Sequence, residues 1–204
     1  MIILFLQNQL TQLNQNFTSI NKILESKNIN ELYLMFWNDK AKIYSESPIK
    51  TVELKRQAEP YGEQIEIIYI RDNKEMTIGE KRTKLNKMAN GKYVVHWDDD
   101  DWIHPQGIDL IISGIPVGAD CITYKEYLKI NNIVESREYS IRYTSSHPAD
   151  LNRPVGPKCV IKTSIAQQVK FKDIRYGEDG LWANDIKPLL KTEYHINEYI
   201  YYYD

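Results

Sequence analysis

Residues 77 to 105 read T-I-G-E-K-R-T-K-L-N-K-M-A-N-G-K-Y-V-V-H-W-D-D-D-D-W-I-H-P. Thr77, with Glu80 three places later, is the signature of a helix start. Gly91 suits the left-handed position that ends a helix. Tyr93 to Trp97 then reads as a strand, and four adjacent aspartates, Asp98 to Asp101, follow at its carboxyl end. Two carboxylates ~6 Å apart repel by about 3 kcal/mol at an effective dielectric of 20, so four in a row require relief. Solvation in a turn supplies it, and so does a divalent cation. Side chains at i and i+2 of an extended chain face the same way, so Asp98 and Asp100 can converge on one ion. Hard oxygen ligands of this kind suit magnesium or manganese.

Working towards the N-terminus, Glu66 to Ile70 reads as another strand, and residues 45 to 63 are mixed enough to hold a short helix. Glu31 to Trp37 is a nearly continuous apolar run, the pattern of a strand covered on both faces, and it stops at Asn38-Asp39. Leu13, Phe17, Ile20 and Leu24 recur at helical spacing, which predicts an amphipathic helix over 11–26. The opening M-I-I-L-F-L reads as a buried first strand. It has no basic region before it and no small-residue cleavage site after it, so it does not read as a signal peptide. The first half thus alternates strand and helix. Such alternation implies a mostly parallel sheet with helices on both faces. Ligands of that architecture bind beyond the carboxyl ends of the strands, where Asn38-Asp39 and Asp98 to Asp101 both fall.

Towards the C-terminus the pattern changes. Residues 105–115 read as a helix, 120–143 as two or three strands, and the proline-rich 145–158 as a long loop. A short strand at Val160-Ile161, a helix from Ser164, a helix running from about Gly177 to Leu190 and a terminal Y-I-Y-Y-Y strand follow. No linker or internal repeat divides the 204 residues, so one domain is expected, with halves 1–104 and 105–204.

Composition bounds the function. A net charge of -2 lacks the overall basic excess of a sequence-independent nucleic-acid binder. No stretch approaches the ~20 apolar residues of a membrane span. The two cysteines, Cys121 and Cys159, have no metal or redox spacing and fit reduced thiols in a cytoplasmic protein.

The stretch 77–105 resembles a signature of the family 2 glycosyltransferases and related nucleotide-sugar enzymes. In that family a helix carrying Arg and often Asn leads through Ala-x-Gly to an aromatic-aliphatic strand and an Asp-x-Asp with a further Asp. Here those places fall on Arg82, Asn86, Ala89, Gly91, Tyr93 to Trp97 and Asp98 to Asp101, with an aromatic and a proline after them. The resemblance implies a single GT-A-type α/β domain: a Rossmann-like front half that binds the nucleotide sugar and a smaller mixed-strand back half that binds the acceptor. It implies metal-dependent transfer of a sugar, with inversion, from a nucleotide-diphosphate sugar, UDP by default, to an acceptor hydroxyl. The acceptor itself, whether glycan, protein, nucleobase or small molecule, is left open.

Residue by residue, the resemblance places Mn2+ or Mg2+ on Asp98, Asp100 and Asp101. Asp98 or Asp99 touches sugar or ribose, Asn38 and Asp39 hold the base or ribose, and Arg82 lies near the nucleotide. Arg153 and Lys158 flank a loop positioned to close over the diphosphate. Glu178 and Asp179, in G-E-D-G-L, match a Glu-Asp pair at a helix start, where the Asp acts as general base; complementing the helix dipole is the plain alternative.

His96, inside the apolar strand, reads as a core residue. His147 and His195 read as structural more than ligating. The basic and aromatic residues between Lys125 and Arg142 suit either a solvated sheet face or a contact to a phosphorylated or nucleic-acid acceptor. Two other readings stay open. A nucleotidyltransferase would share the fold, but residues 6–12 (L-Q-N-Q-L-T-Q) hold neither the glycine nor the lysine such enzymes use to grip a triphosphate. A binding module of the same fold that has lost turnover is the other.

Overall fold

The computed structural model describes residues 2–7, 58–71, 75–98, 101–130, 133–144 and 150–203. The helix expected over 11–26, the strand over 31–37, Asn38, Asp39, Asp99, Asp100 and His147 lie outside them.

Among the described residues nine strands join in one sheet. β1 (Ile2–Gln7) lies between β2 (Glu66–Arg71) and β3 (Tyr93–Asp98), parallel to both. Beyond β3 the sheet turns mixed. β8 (Val160–Lys162) runs antiparallel to both β3 and β5 (Cys121–Ile130). β6 (Ile133–Tyr139) pairs antiparallel with β5 and parallel with the two-residue β7 (Asn152–Arg153). The terminal β9 (Glu193–Tyr203) lies parallel along the other edge of β5 and takes up β4 (Trp102–Ile103) antiparallel. Tyr201 and Tyr202 of the terminal strand therefore sit between two strands, and of the terminal tyrosines Tyr201 is the one fully buried, while Tyr203 is 40% exposed.

β3 is buried on both faces because helices cover both. Tyr93, Val95 and Trp97 face α2 (Gly107–Gly114), which contributes Ile108 and Ile111 to the same core. Val94 belongs to the opposite core, with Leu85 of α1 (Ile78–Met88) and Trp182 of α4 (Glu178–Ile186). The helix expected from Ser164 is a single turn, α3 (Thr163–Ala166), and the segment 45–63 ends in a 3-10 turn, Glu59–Gln64. The helix expected to reach Leu190 stops at Ile186 and continues as a 3-10 turn through Pro188, whose ring cannot sit in a helix interior.

Helix α1 starts as the sequence predicts. The Thr77 hydroxyl accepts the Glu80 amide at 3.0 Å, while the Glu80 carboxylate pairs with Lys84 at 3.1 Å. Its end differs. Met88 closes the helix, Ala89 follows in extended conformation, and Gly91 is not left-handed. The Gln167 side chain serves the free carbonyls there, donating to Asn86 at 2.8 Å and Ala89 at 3.0 Å, so no glycine turn is needed.

At its N-terminus α1 presses on the segment before α4. The Thr77 hydroxyl donates to Asp173 at 2.6 Å, and the Gly79 amide donates to the Ile174 carbonyl at 3.3 Å. A Cβ on Gly79 would lie 1.7 Å from the Lys172 carbonyl oxygen, so the approach requires glycine. That contact carries the chain from Phe171 past α1 into the turn at Gly177, whose φ of 79° is left-handed, and so into α4.

Candidate active site

Parity on β3 sets the site. Val94, His96 and Asp98 alternate towards α1. Two residues of strand advance by about 6.6 Å and four residues of helix by about 6 Å, so i, i+4 positions on α1 can match i, i−2 positions on β3. Two polar pairs use this match. Arg82 donates to Asp98 at 2.9 Å, and Asn86 Oδ1 meets His96 Nε2 at 2.8 Å. An amide oxygen only accepts, so His96 carries its proton on Nε2. Burial, followed by the nearby Arg82 charge, pushes the His96 pKa well down, which keeps the ring neutral. The ring also sits edge-on to Phe171, with centroids 5.4 Å apart. The core reading of His96 holds.

Arg82 is 5% exposed and forks between two elements. One terminal nitrogen donates to Asp98 at 2.9 Å, the other to Glu178 at the start of α4, also at 2.9 Å. The guanidinium therefore ties the end of β3 to the N-terminus of α4. Burial pushes Asp98 upward, but Arg82 and then Lys158 outweigh it, and the carboxyl is held below its usual range. Glu178 moves the other way: burial raises it, Arg82 only partly offsets that, and Asp179 and Asp98 push it further up. Its neighbour Asp179 is exposed, with Oδ1 accepting the Gly180 amide at 2.8 Å.

Asp98, Arg82, Glu178 and Asp179 line one cleft of about 630 Å³, and Lys158 lines it too. Lys158 is placed by a second set of partners. Its ammonium lies 3.4 Å from Asp101 and 3.8 Å from Glu126, and over the rings of Tyr203 and Tyr201 at 4.1 and 4.6 Å. Burial lowers its pKa, but Glu126, Asp98 and Asp101 more than compensate and hold it protonated. Its backbone is pinned as well. The Trp97 indole donates to the Tyr124 hydroxyl at 2.8 Å, Tyr124 donates to the Lys158 carbonyl, and the His96 amide donates to Pro157 at 2.9 Å. Pro154 to Pro157, at the end of the expected loop, are buried and held against β3 and β5 through the Pro157 and Lys158 carbonyls.

The structure brings together Arg82, Asp98, Lys158, Glu178 and Asp179 of the residues singled out from sequence. Asp101 is turned inward. It is 5% exposed, and its Oδ2 accepts the Tyr201 hydroxyl at 2.6 Å and the Lys158 ammonium at 3.4 Å. The same Tyr201 hydroxyl accepts the Asp98 amide at 3.0 Å, so it latches both ends of the acidic run. Among the described residues no group of three His, Cys, Asp or Glu is placed to hold a metal ion. His195 meets Thr123 at 2.9 Å and Glu138 at 3.9 Å and does not line the cleft.

Sequence reasoning missed two residues. Tyr201 was grouped with the terminal tyrosines, although its alternation with Tyr202 was visible. Glu126, fully buried beneath Lys158, carries no local signal, since a carboxylate inside a strand looks solvent-facing.

The fold is similar to that of S. aureus TarS. Three structures of TarS 1–349, free, with UDP and with UDP-GlcNAc, superpose at TM-scores of 0.54, 0.57 and 0.53 with 12% identity. They cover 99–100% of this chain, which spans 58–60% of the length of those structures. No protein-family model matches the sequence, and no curated protein matches it. The GT-A-type mixed α/β architecture, read from residues 77–105 and the strand–helix alternation, is the architecture the chain has. Among the described residues no helix is long and apolar enough to cross a membrane.

Proposed function

We propose that the protein transfers a sugar from a nucleoside-diphosphate sugar, UDP-linked by preference, to an acceptor hydroxyl by a single inverting displacement. The observation that carries this reading is the Arg82 fork, which joins Asp98 to Glu178 and so holds Asp179 in the same cleft as Asp98. The likeness to a fold solved with UDP and UDP-GlcNAc supports the choice of donor.

Asp179, exposed at the head of α4, takes the acceptor proton as the hydroxyl attacks the anomeric carbon. Glu178, buried beside it, supports Asp179 by holding Arg82. Lys158, kept protonated by Asp101 and Glu126, faces the negative charge that grows on the leaving diphosphate. Asn38, Asp39 and Asp99 are proposed to hold the base and ribose.

Asp98 retains a carboxylate whose side chain is 23% exposed, with Oδ1 on Arg82. That suits one place in a magnesium or manganese shell, which needs only one or two carboxylates beside substrate phosphates. Asp98 and Asp100 would hold the ion, and Asp101 would brace Lys158 and Tyr201 behind them. When bound, the cation supplies charge neutralisation at the diphosphate.

The test is Asp179→Asn beside Asp100→Ala, read by UDP-sugar hydrolysis or transfer and by UDP binding. Asp179→Asn should lower kcat by roughly 10²–10⁴-fold with UDP affinity unchanged. Asp100→Ala should weaken UDP binding only in the presence of the cation. Two folded variants with full activity would refute the assignment.

A further inference from the structure

Gly177 is the N-cap of α4, so Tyr176 stands just before the cap and Leu181 in the first turn after it. Apolar residues at those two places ordinarily pack on each other as a hydrophobic staple and fix the angle at which the chain enters a helix. Here the staple is open. Tyr176 is 86% exposed, the most open large apolar side chain among the described residues, and Leu181 is 44% exposed. At that exposure the tyrosine ring packs on almost no protein.

The entry angle is fixed by other means. The Gly79 amide donates to the Ile174 carbonyl at 3.3 Å, the Ile174 amide to the Lys172 carbonyl at 2.8 Å, and the Leu181 amide to the Gly177 carbonyl at 3.2 Å. Gly177 itself takes the left-handed conformation that glycine adopts without strain. Tyr176 therefore stands on a turn held at both ends, and its exposure is not that of a fraying terminus. Tyr176 and Leu181 both line the cleft that holds Asp179. Tyr203, another exposed ring of that cleft, already carries the Lys158 ammonium 4.1 Å from its centroid.

Position assigns the pair to the acceptor. In the proposed reaction Asp98 and Lys158 serve the donor, whereas Tyr176 belongs to the segment that carries Asp179. Three residues of chain span at most roughly 11 Å, so a molecule lying on the ring is within reach of the Asp179 carboxylate. Chemistry then selects the class. Beside the pair the cleft is lined by Asp179 and by Asn184, which shares a helix face with Leu181. A lipid chain finds no continuous apolar floor there. A sugar ring offers an apolar C–H face to the electron-rich face of tyrosine, and a rim of hydroxyls to the Asn184 amide, which both donates and accepts.

We propose that Tyr176, backed by Leu181, is the platform of the acceptor subsite and stacks on the apolar face of a sugar ring. The inference rests on the transferase reading and names the acceptor class of that site. The ring of the acceptor lies on Tyr176 and presents a hydroxyl to Asp179.

Titration calorimetry tests it with the methyl glycosides of glucose, galactose and N-acetylglucosamine, on protein first saturated with UDP and magnesium; cyclohexanol and adenosine are the controls. Tyr176→Ala and Tyr176→Phe are the variants, and thermal melting verifies that both are folded. A glycoside should bind the UDP-saturated protein more tightly than either control. Tyr176→Ala should lose about fivefold or more in that affinity, the effect of removing one ring face, and Tyr176→Phe, which keeps the ring, less than about twofold. UDP affinity should change by less than about twofold in both variants. A matching fall in UDP affinity would assign the ring to the donor and overturn the proposal. Adenosine bound equally through Tyr176 would make the partner a nucleobase, and cyclohexanol a plain apolar group; either result overturns it. So does a Tyr176→Ala variant that binds the glycoside unchanged, or a parent protein that binds none of the three. UDP that fails to bind the parent while a glycoside still does would refute the transferase reading itself, and with it the acceptor role of the platform.

Discussion

Replacing Arg82 with alanine strips the cation from between two carboxylates that the fold has already desolvated. The Arg82 side chain is 6% exposed, that of Glu178 6% and that of Asp98 23%. At an effective dielectric of 20, a unit pair ~4 Å apart attracts by about 4 kcal/mol, and the cost of desolvating the arginine offsets part of that. The larger effect is what remains: removing one partner of a buried pair costs about 3–5 kcal/mol because the other charge stays behind without compensation. For a chain of this size that corresponds to a fall in Tm of roughly 6–20 °C.

The sign with pH follows from the shifts. Asp98, held below its ordinary range, adds stability above its unfolded pKa and loses it as pH falls through the lower folded value. Glu178, raised above its ordinary range, is least favourable above its folded pKa and is relieved as pH falls through it. Without Arg82 both carboxyls titrate higher. The deficit of the variant should therefore be largest near pH 7.5 and shrink towards pH 5.5 as they protonate. Urea unfolding at the two pH values measures this, with Arg82→Ala/Glu178→Gln as the second arm. Removing the stranded charge should recover at least about 1 kcal/mol. A loss below about 1 kcal/mol at neutral pH, or a loss that grows on acidification, would refute the account of Arg82 as a buried charge bridge.

Gly79→Ala should be among the most damaging single-methyl additions in the chain. Its Cβ would lie 1.7 Å from the Lys172 carbonyl oxygen, so α1 must retreat from the segment before α4. A destabilisation of about 1–3 kcal/mol is expected, with loss of Asp179-dependent turnover out of proportion to it; urea unfolding beside an activity assay separates the two. Tyr201→Phe should cost about 1–3 kcal/mol, because the part-buried Asp98 amide loses its acceptor and the buried Asp101 carboxylate a donor. A thermal melt indistinguishable from that of the parent would show that the latch carries no weight.

Much of the front half was legible locally. The Thr77 cap, the 3.6-residue helix, the apolar strand at Tyr93 to Trp97 and the acidic run at its end all fall within one window of sequence, so periodicity could order them. The Gly91 expectation failed because Gln167, far along the chain, caps the carbonyls that a glycine turn would otherwise relieve. The short α3 and the packed 154–157 segment were missed for a related reason: burial there depends on β3 and β5, and not on local composition.

By itself the sequence determined the strand–helix alternation, the place of the aspartates beyond a strand end and the Glu-Asp pair at a helix start. Each is set by side-chain spacing within a few residues of chain. Only the tertiary structure decided that Arg82 joins Asp98 to Glu178, that Asp101 turns in towards Tyr201, and that Glu126 lies buried under Lys158. Those pairs are separated by 16, 96, 100 and 32 residues. Their energies come from desolvation and from charge held at close range. Neither exists until the sheet has brought distant segments together and excluded water between them.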